Sequence, residues 1–368
     1  MGLSCKIRIN NFTLLLIFSI IFLYSVYSNI FFLLFVFIPI IYWIEEKVEW
    51  KKILYFFLIS LIPLIIFHFI NNLNIFKLIP HNFIKNSLEN FLLNNFDENT
   101  AAIVGLVCFN MKISRISWEF YKVAKQLSIV YLLSVGGLQV SFLKLLIDKI
   151  FNNMKKTGKI VNVIFIGIYT YVLNFASGIL RVWFTLLISY CFKKYLKGKY
   201  ESLALSGIIT IFIEPSCVFN YGFCLSYLCT YFVIWIYNFE IKNIFLEQLV
   251  INIGCAIISL PFISRMDNEI SVSSFILGIG FAYIFIFLYL WYILTIWMVF
   301  LKPIHTFFAN SLIEILVGCD KINWSIKIQK FSDLLLILFY SFSYFSYFLI
   351  ERKRKKEIKN LISFELKK

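Results

Sequence analysis

Arg181 sits in the middle of an apolar run, and its neighbours at helical spacing are Asn174, Gly178, Thr185 and Ser189. Steps of three and four place these residues along one face of a helix. An ionisable group inside hydrocarbon costs about 2.5–3.5 kcal/mol on insertion scales, so it faces a cavity or a partner. Packing does not require a guanidinium there; the chemistry on offer is attraction of an anion, with a salt bridge to Glu214 as the competing role. A second stripe runs Ser134, Gly137, Ser141, Lys144 and Asp148, and a third runs Gly222, Ser226 and Thr230. Small and hydroxyl residues repeated in this way either line an aqueous path or let two backbones approach closely. Gly137-x-x-x-Ser141 is a small-xxx-small pair of the second kind.

Bond-making chemistry is poorly provided for. The three His residues (68, 81 and 305) are far apart, and neither H-E-x-x-H nor H-x-H-x-D-H is present, so a histidine-built metal centre is excluded. The eight Cys form no C-x-x-C pair, and several lie inside apolar runs, where they act as small hydrophobes. Ser134 and Ser177 have no His or Lys base at a usable depth, and the G-x-S-x-G elbow is missing. No G-x-x-x-x-G-K-[ST] phosphate loop stands anywhere, so the chain carries no nucleotide motor of that kind. The expectation is a protein that is not an enzyme and holds neither metal nor cofactor.

The elements that position these residues are membrane helices. Of 368 residues, 61% are hydrophobic and 15% charged, and the mean hydropathy is +0.84. A water-soluble chain cannot cover that much apolar surface, so the bilayer is its solvent. The 43 Phe are explained by a composition rich in Phe, Ile, Lys and Asn together, and the net charge of +15 is explained in part by topology signals. Apolar runs are Phe12–Tyr27, Ile30–Ile44, Ile53–Ile70, Leu127–Ile150, Ile160–Ala176, Ile179–Leu196, Leu203–Ile213, Phe223–Tyr237, Ile244–Ile263, Val272–Leu301, Ile304–Val317 and Leu334–Ile350. They predict an all-α, polytopic transmembrane bundle of about 10–12 spans.

Lysine clusters at 47–52, 155–159, 193–199, 242, 302 and 352–356 alternate with cation-poor turns at 28–29, 177–178, 214–221 and 264–271. By the positive-inside rule both termini are cytoplasmic, in a multi-pass protein of the bacterial plasma membrane. Residues 1–70 are N-terminal spans, with Lys6 and Arg8 preceding a first membrane helix and not a cleaved leader. Residues 71–126 read as a short extracellular or interfacial segment, with Ile84, Leu88, Phe91 and Leu92 on one face of an amphipathic helix. Residues 127–350 form the transmembrane core, and 351–368 a basic cytoplasmic tail.

At the three stripes the chain resembles the ComEC competence-protein family, the membrane channel for single-stranded DNA uptake in bacteria. The family's first motif, approximately H-L-L-A-I-S-G-L-H-V, stands here as Tyr131-Leu132-Leu133-Ser134-Val135-Gly136-Gly137-Leu138-Gln139-Val140. The second, a helix opened by a small turn and an R-A pair, is matched by Ser177-Gly178-Ile179-Leu180-Arg181-Val182. The third, Pro and then G-F-Q-L-S-F, is matched by Pro215 and Gly222-Phe223-Cys224-Leu225-Ser226-Tyr227. Both His positions of the first motif are changed, to Tyr131 and Gln139, its Ser is Gly136, and the Gln of the third is Cys224. Residues 71–126 leave no room for the family's OB-like domain, and the missing His cluster leads to the expectation of a membrane core without the metallo-β-lactamase-like domain.

The resemblance implies a channel for single-stranded DNA with a path along Ser134, Gly136, Gly137, Gln139, Ser141, Arg181, Gly222 and Ser226. It further implies a cytoplasmic motor protein and a surface DNA receptor as partners besides the lipid bilayer, with assembly into a homo-oligomer left open. The alternatives are a transporter of small solutes or lipids, for which inverted repeats are expected and none is evident, a membrane-embedded enzyme, and a non-transporting scaffold.

Overall fold

The computed structural model describes residues 50–69, 82–127, 137–151, 155–192, 199–239, 241–266 and 269–327, with isolated positions in 16–23, at 129 and in 329–339. The expected spans Ile30–Ile44 and Leu334–Ile350, most of Phe12–Tyr27, both termini and the basic tail lie outside the described residues.

Among the described residues the fold is α-helical, apart from an antiparallel ribbon of two three-residue strands. The helices are α1 (Trp50–Phe69), α2 (Asn82–Asn95), α3 (Glu98–Phe109), α4 (Arg115–Gln126), α5 (Gly137–Ile150), α6 (Lys155–Val172) and α7 (Ser177–Cys191). They continue as α8 (Lys199–Ile213), α9 (Tyr221–Tyr237), α10 (Ile244–Met266), α11 (Ser274–Thr295) and α12 (Lys302–Lys321). The strands are β1 (Glu269–Ser271) and β2 (Ser325–Lys327). Three described segments are long and apolar enough to cross a membrane: Leu246–Arg265, Leu277–Thr295 and Val299–Lys321. Shorter apolar helices include α3, α7, α9 and most of α6.

Among the described residues, two main cores and a minor cluster hold these helices. The larger takes residues from α2 to α7 together with α11 and α12, including Val104, Val140, Tyr169, Tyr289 and Leu312. The smaller joins α8, α9 and the 3-10 turn Pro215–Phe219, with Leu16 and Leu23 packed in. Helix α7 stands between the two. Its Ile179 belongs to the first core, whereas Leu180, Phe184 and Ile188 pack on Leu205, Ile209 and Ile213 of α8. It packs against α5, α6, α8 and α9.

Residues 96–126, the later part of the segment read as extracellular or interfacial, carry two helices that pack on the larger core. Helix α3 is apolar all round, and every residue from Thr100 to Phe109 is buried. It inserts between α11 and α12. The physical reason is that a helix with no polar face has no surface to show to water or headgroups. At its start Asp97 caps the helix, accepting from Thr100 N at 3.1 Å and Thr100 Oγ1 at 2.7 Å, and from Thr306 Oγ1 of α12 at 2.6 Å. Asn99 Nδ2 donates to Asn310 Oδ1 at 2.9 Å. At the far end of α4, Gln126 O accepts from Asn323 Nδ2, just beyond α12. The chain therefore runs from the start of α12 to its end through α3 and α4. Ile84, Leu88, Phe91 and Leu92 do share a face, and Leu88, Phe91 and Leu92 lay it on the larger core. Replacing Asp97 by Ala removes a cap worth about 1–2 kcal/mol and the tie to α12. The expected result is a lower melting temperature of the purified protein, with Thr306→Val falling in the same direction by less.

Candidate functional site

The sequence places Arg181 in the second turn of α7, and the fold carries that turn into the space between the two cores. Arg181 is 8% exposed. Its Nε has no hydrogen-bond partner, and among the described residues no ion pair involves it. Tyr227 and Cys229 of α9 lie within electrostatic reach of it. The competing role in a salt bridge with Glu214 is thus not what the structure holds. Glu214 instead accepts from Ser216 Oγ at 3.3 Å.

A run of hydroxyls lies beside the guanidinium. Thr185 Oγ1 donates to the Arg181 carbonyl at 2.7 Å and lies 3.2 Å from Ser206 Oγ on α8. Ser206 Oγ is 3.1 Å from Tyr227 OH, and Thr210 Oγ1 donates to Ser206 O at 2.8 Å. Three helices, α7, α8 and α9, therefore share a buried polar seam headed by an unpaired cation. Ser206 and Thr210 are the members that sequence reasoning missed. Their signal is an i, i+4 pair of hydroxyls in the otherwise apolar run Leu203–Ile213, beside Gly207.

Of the stripe on α7, Arg181 and Thr185 are on the seam, while Ser189 is exposed and bonds its own helix. Asn174 is not on the helix at all. Residues 173–175 form the turn between α6 and α7, in which Asn174 (φ 51°) and Phe175 (φ 53°) both adopt the left-handed conformation. That conformation is strained for a bulky residue and lets the chain double back so that α7 starts at Ser177.

Gly222 opens α9 and stands beside Ser177, the first residue of α7. A Cβ added at Gly222 would sit 3.2 Å from Ser177 Oγ and 3.1 Å from Asn220 Oδ1. The second and third motif segments are therefore neighbours. Ser226 follows one turn below Gly222, half-buried, and accepts through its carbonyl from Thr230 Oγ1 at 2.7 Å. Of the first segment, Ser134 and Gly136 lie outside the described residues, and Gly137 begins α5. Gln139 is buried at 4% exposure on α5, which packs against α7.

Ser141 behaves differently: it is exposed, whereas Val140, Leu143 and Ile147 make the packed face of α5. The Ser141/Lys144/Asp148 stripe is thus not the contact seam of that helix. Its lower end is tied instead to α6, where Asp148 accepts from Lys144 Nζ at 2.9 Å and from Asn162 Nδ2 at 2.5 Å. Among the described residues no three His, Cys, Asp or Glu side chains gather as a metal site would need.

A family model described as "Competence protein" matches residues 112–353, more than half of the chain. An uncharacterized protein of Mycoplasma genitalium, MG316, is 23% identical over 265 residues, which is 72% of this chain and 69% of that protein. Its uncharacterized homolog in Mycoplasma pneumoniae is 24% identical over 193 residues, 52% of this chain and 50% of that protein. No solved structure matches.

Proposed function

Because the chain belongs to the competence protein family, we propose that it is a membrane conduit through which single-stranded DNA passes in a competence system. The observation that carries this reading is Arg181, an unpaired guanidinium buried where the second and third motif segments meet between two cores. A strand with one negative charge per nucleotide needs a polar and preferably cationic route through a bilayer. A buried cation without a carboxylate supplies attraction that a structural ion pair would already have spent. Gly222, Ser226 and Gln139 flank the same helix, and we assign them, with Ser134, Gly136, Gly137 and Ser141, to the route and its walls.

In this reading the protein is a multi-pass bundle of about 10–12 spans in the bacterial plasma membrane, with both termini cytoplasmic. The sorting of its turns supports that orientation. Ser177 lies beside Gly222 and Tyr221 packs on Phe262, both at turns poor in cations. The reversals after α5, α7 and α9 and before α12 carry Lys155, Lys159, Lys199, Lys242 and Lys302. The protein is a conduit and not an enzyme, so a cytoplasmic motor draws the strand and a surface receptor presents it. Labelled-DNA internalisation tests the proposal. Cells lacking this chain fail to bring DNA into the cytoplasm while still binding it outside, and the restored gene recovers entry. Equal internalisation with and without the chain refutes it.

A further inference from the structure

We infer that the N terminus of α7 is a phosphate-binding site, in which the amides of Ser177 and Gly178 and the guanidinium of Arg181 hold one phosphodiester of the nucleic-acid backbone. The inference rests on the conduit reading for the source of the phosphate, but the site itself rests on three separate observations.

The first is an uncapped helix start. The cap position is Ala176, and no side chain bonds the first turn. Ile179 N and Leu180 N bond to Ala176 O at 3.1 and 3.0 Å, whereas the amides of Ser177 and Gly178 donate to no acceptor among the described residues. Two open N–H groups at the positive end of a 15-residue helix attract an anion. Helix α9, which begins alongside, does not offer the same, because Asn220 Oδ1 already takes its Gly222 amide at 2.8 Å.

The second is Arg181. It follows Ser177 by four residues and so lies on the same face one turn down, and helical side chains lean toward the N terminus. It is more than nine-tenths buried, with an unpartnered Nε. One guanidinium plus a helix N terminus suits the single charge of a phosphodiester.

The third is clearance. Gly222 leaves the space beside Ser177 Oγ without a side chain, and any Cβ there enters tight contact. The strained turn at Asn174 and Phe175 fixes where that opening lies.

The test uses the purified full-length protein in maltoside micelles, which contain no phosphate. Three probes are titrated separately by calorimetry: an abasic deoxyribose-phosphate oligomer, inorganic phosphate and phosphatidylglycerol. The variants are Arg181→Gln and Ser177→Pro. Proline fits the first helical position and removes one amide, and the extended ψ of 133° at Ala176 accepts a following proline. The abasic oligomer is expected to bind the wild type, and each variant to weaken it about tenfold or more. Amide exchange of the wild type is expected to slow at Ser177 and Gly178 when the oligomer is added, which decides the matter should a variant not fold. Equal binding by both folded variants, or no slowing of exchange at those amides, overturns the site. Binding of phosphatidylglycerol or inorganic phosphate alone overturns the nucleic-acid source. Oligomer binding lost in both variants, by a protein whose absence leaves DNA entry intact, upholds the site and removes the conduit reading.

Discussion

Arg181→Met is expected to leave folded protein at or above the wild-type amount and to reduce DNA internalisation by about tenfold or more. The two halves of that result have separate causes. A buried charge with no partner destabilises the fold that contains it, so removing the charge at similar volume relieves the protein and does not injure it. A charged hydrogen bond to phosphate contributes about 1.5–3 kcal/mol, and each 1.4 kcal/mol is a factor of ten. Arg181→Lys keeps the point charge but loses the planar fork, and is expected to recover entry only in part. Had Glu214 been the partner, Arg181→Met would strand a carboxylate and lower abundance, and Glu214→Ala would restore it. The measurements are membrane abundance, thermal stability in detergent and uptake of labelled DNA. A Met variant that is abundant and internalises DNA as the wild type does removes Arg181 from the route.

Gly105→Leu is the counterpart, a change expected to remove folded protein altogether. Gly105 lies in α3 with no space around it. A Cβ there would fall 2.5 Å from Ile113 Cδ1, 3.0 Å from its Cγ1 and 3.2 Å from the carbonyl oxygen of Met111. The last of these is backbone, and Met111 N donates to Gly105 O at 2.8 Å, so the turn after α3 cannot withdraw without losing its own bond. Overpacking of a dense core typically costs about 1–3 kcal/mol and occasionally more, and a whole leucine side chain pressed against backbone falls at the upper end. Gly280→Leu on α11 is the comparison, since no atom lies within 4 Å of a Cβ at that position. Size-exclusion profiles of tagged protein from membranes check both. A normal peak for Gly105→Leu contradicts the packing of α3.

Periodicity told where the apolar faces were, but not what they met. The runs beginning at Ile160, Ile179, Phe223, Ile244, Val272 and Ile304 anticipate α6, α7 and α9 to α12, because a long, almost wholly apolar stretch has few fates besides a helix. The stripe through Arg181 was legible as a face, and its neighbours Ser206 and Thr210 were not, since they belong to another helix. Asn174 fits the stripe by counting and leaves it in space, because counting cannot see a left-handed turn at Phe175. Helix α3 was hidden for a different reason. Its 12 residues fall short of a span and its partners are remote in sequence, so it resembled the margin of an interfacial segment.

That remoteness governs how the protein can be made. The carboxylate of Asp97 waits for Thr306, 209 positions later, and Asn99 for Asn310, 211 positions later. At about 5–20 residues per second, the ribosome needs roughly 10–40 s to supply them. Throughout that interval α3 is an apolar rod of about 18 Å, too short for a hydrocarbon layer of about 30 Å and lacking its late neighbours. Biogenesis must therefore be completed from the C-terminal side. The insertion machinery has to shelter α3 until α11 and α12 emerge, and a chain cut before Lys302 presents that helix to quality-control proteases as an unfinished product.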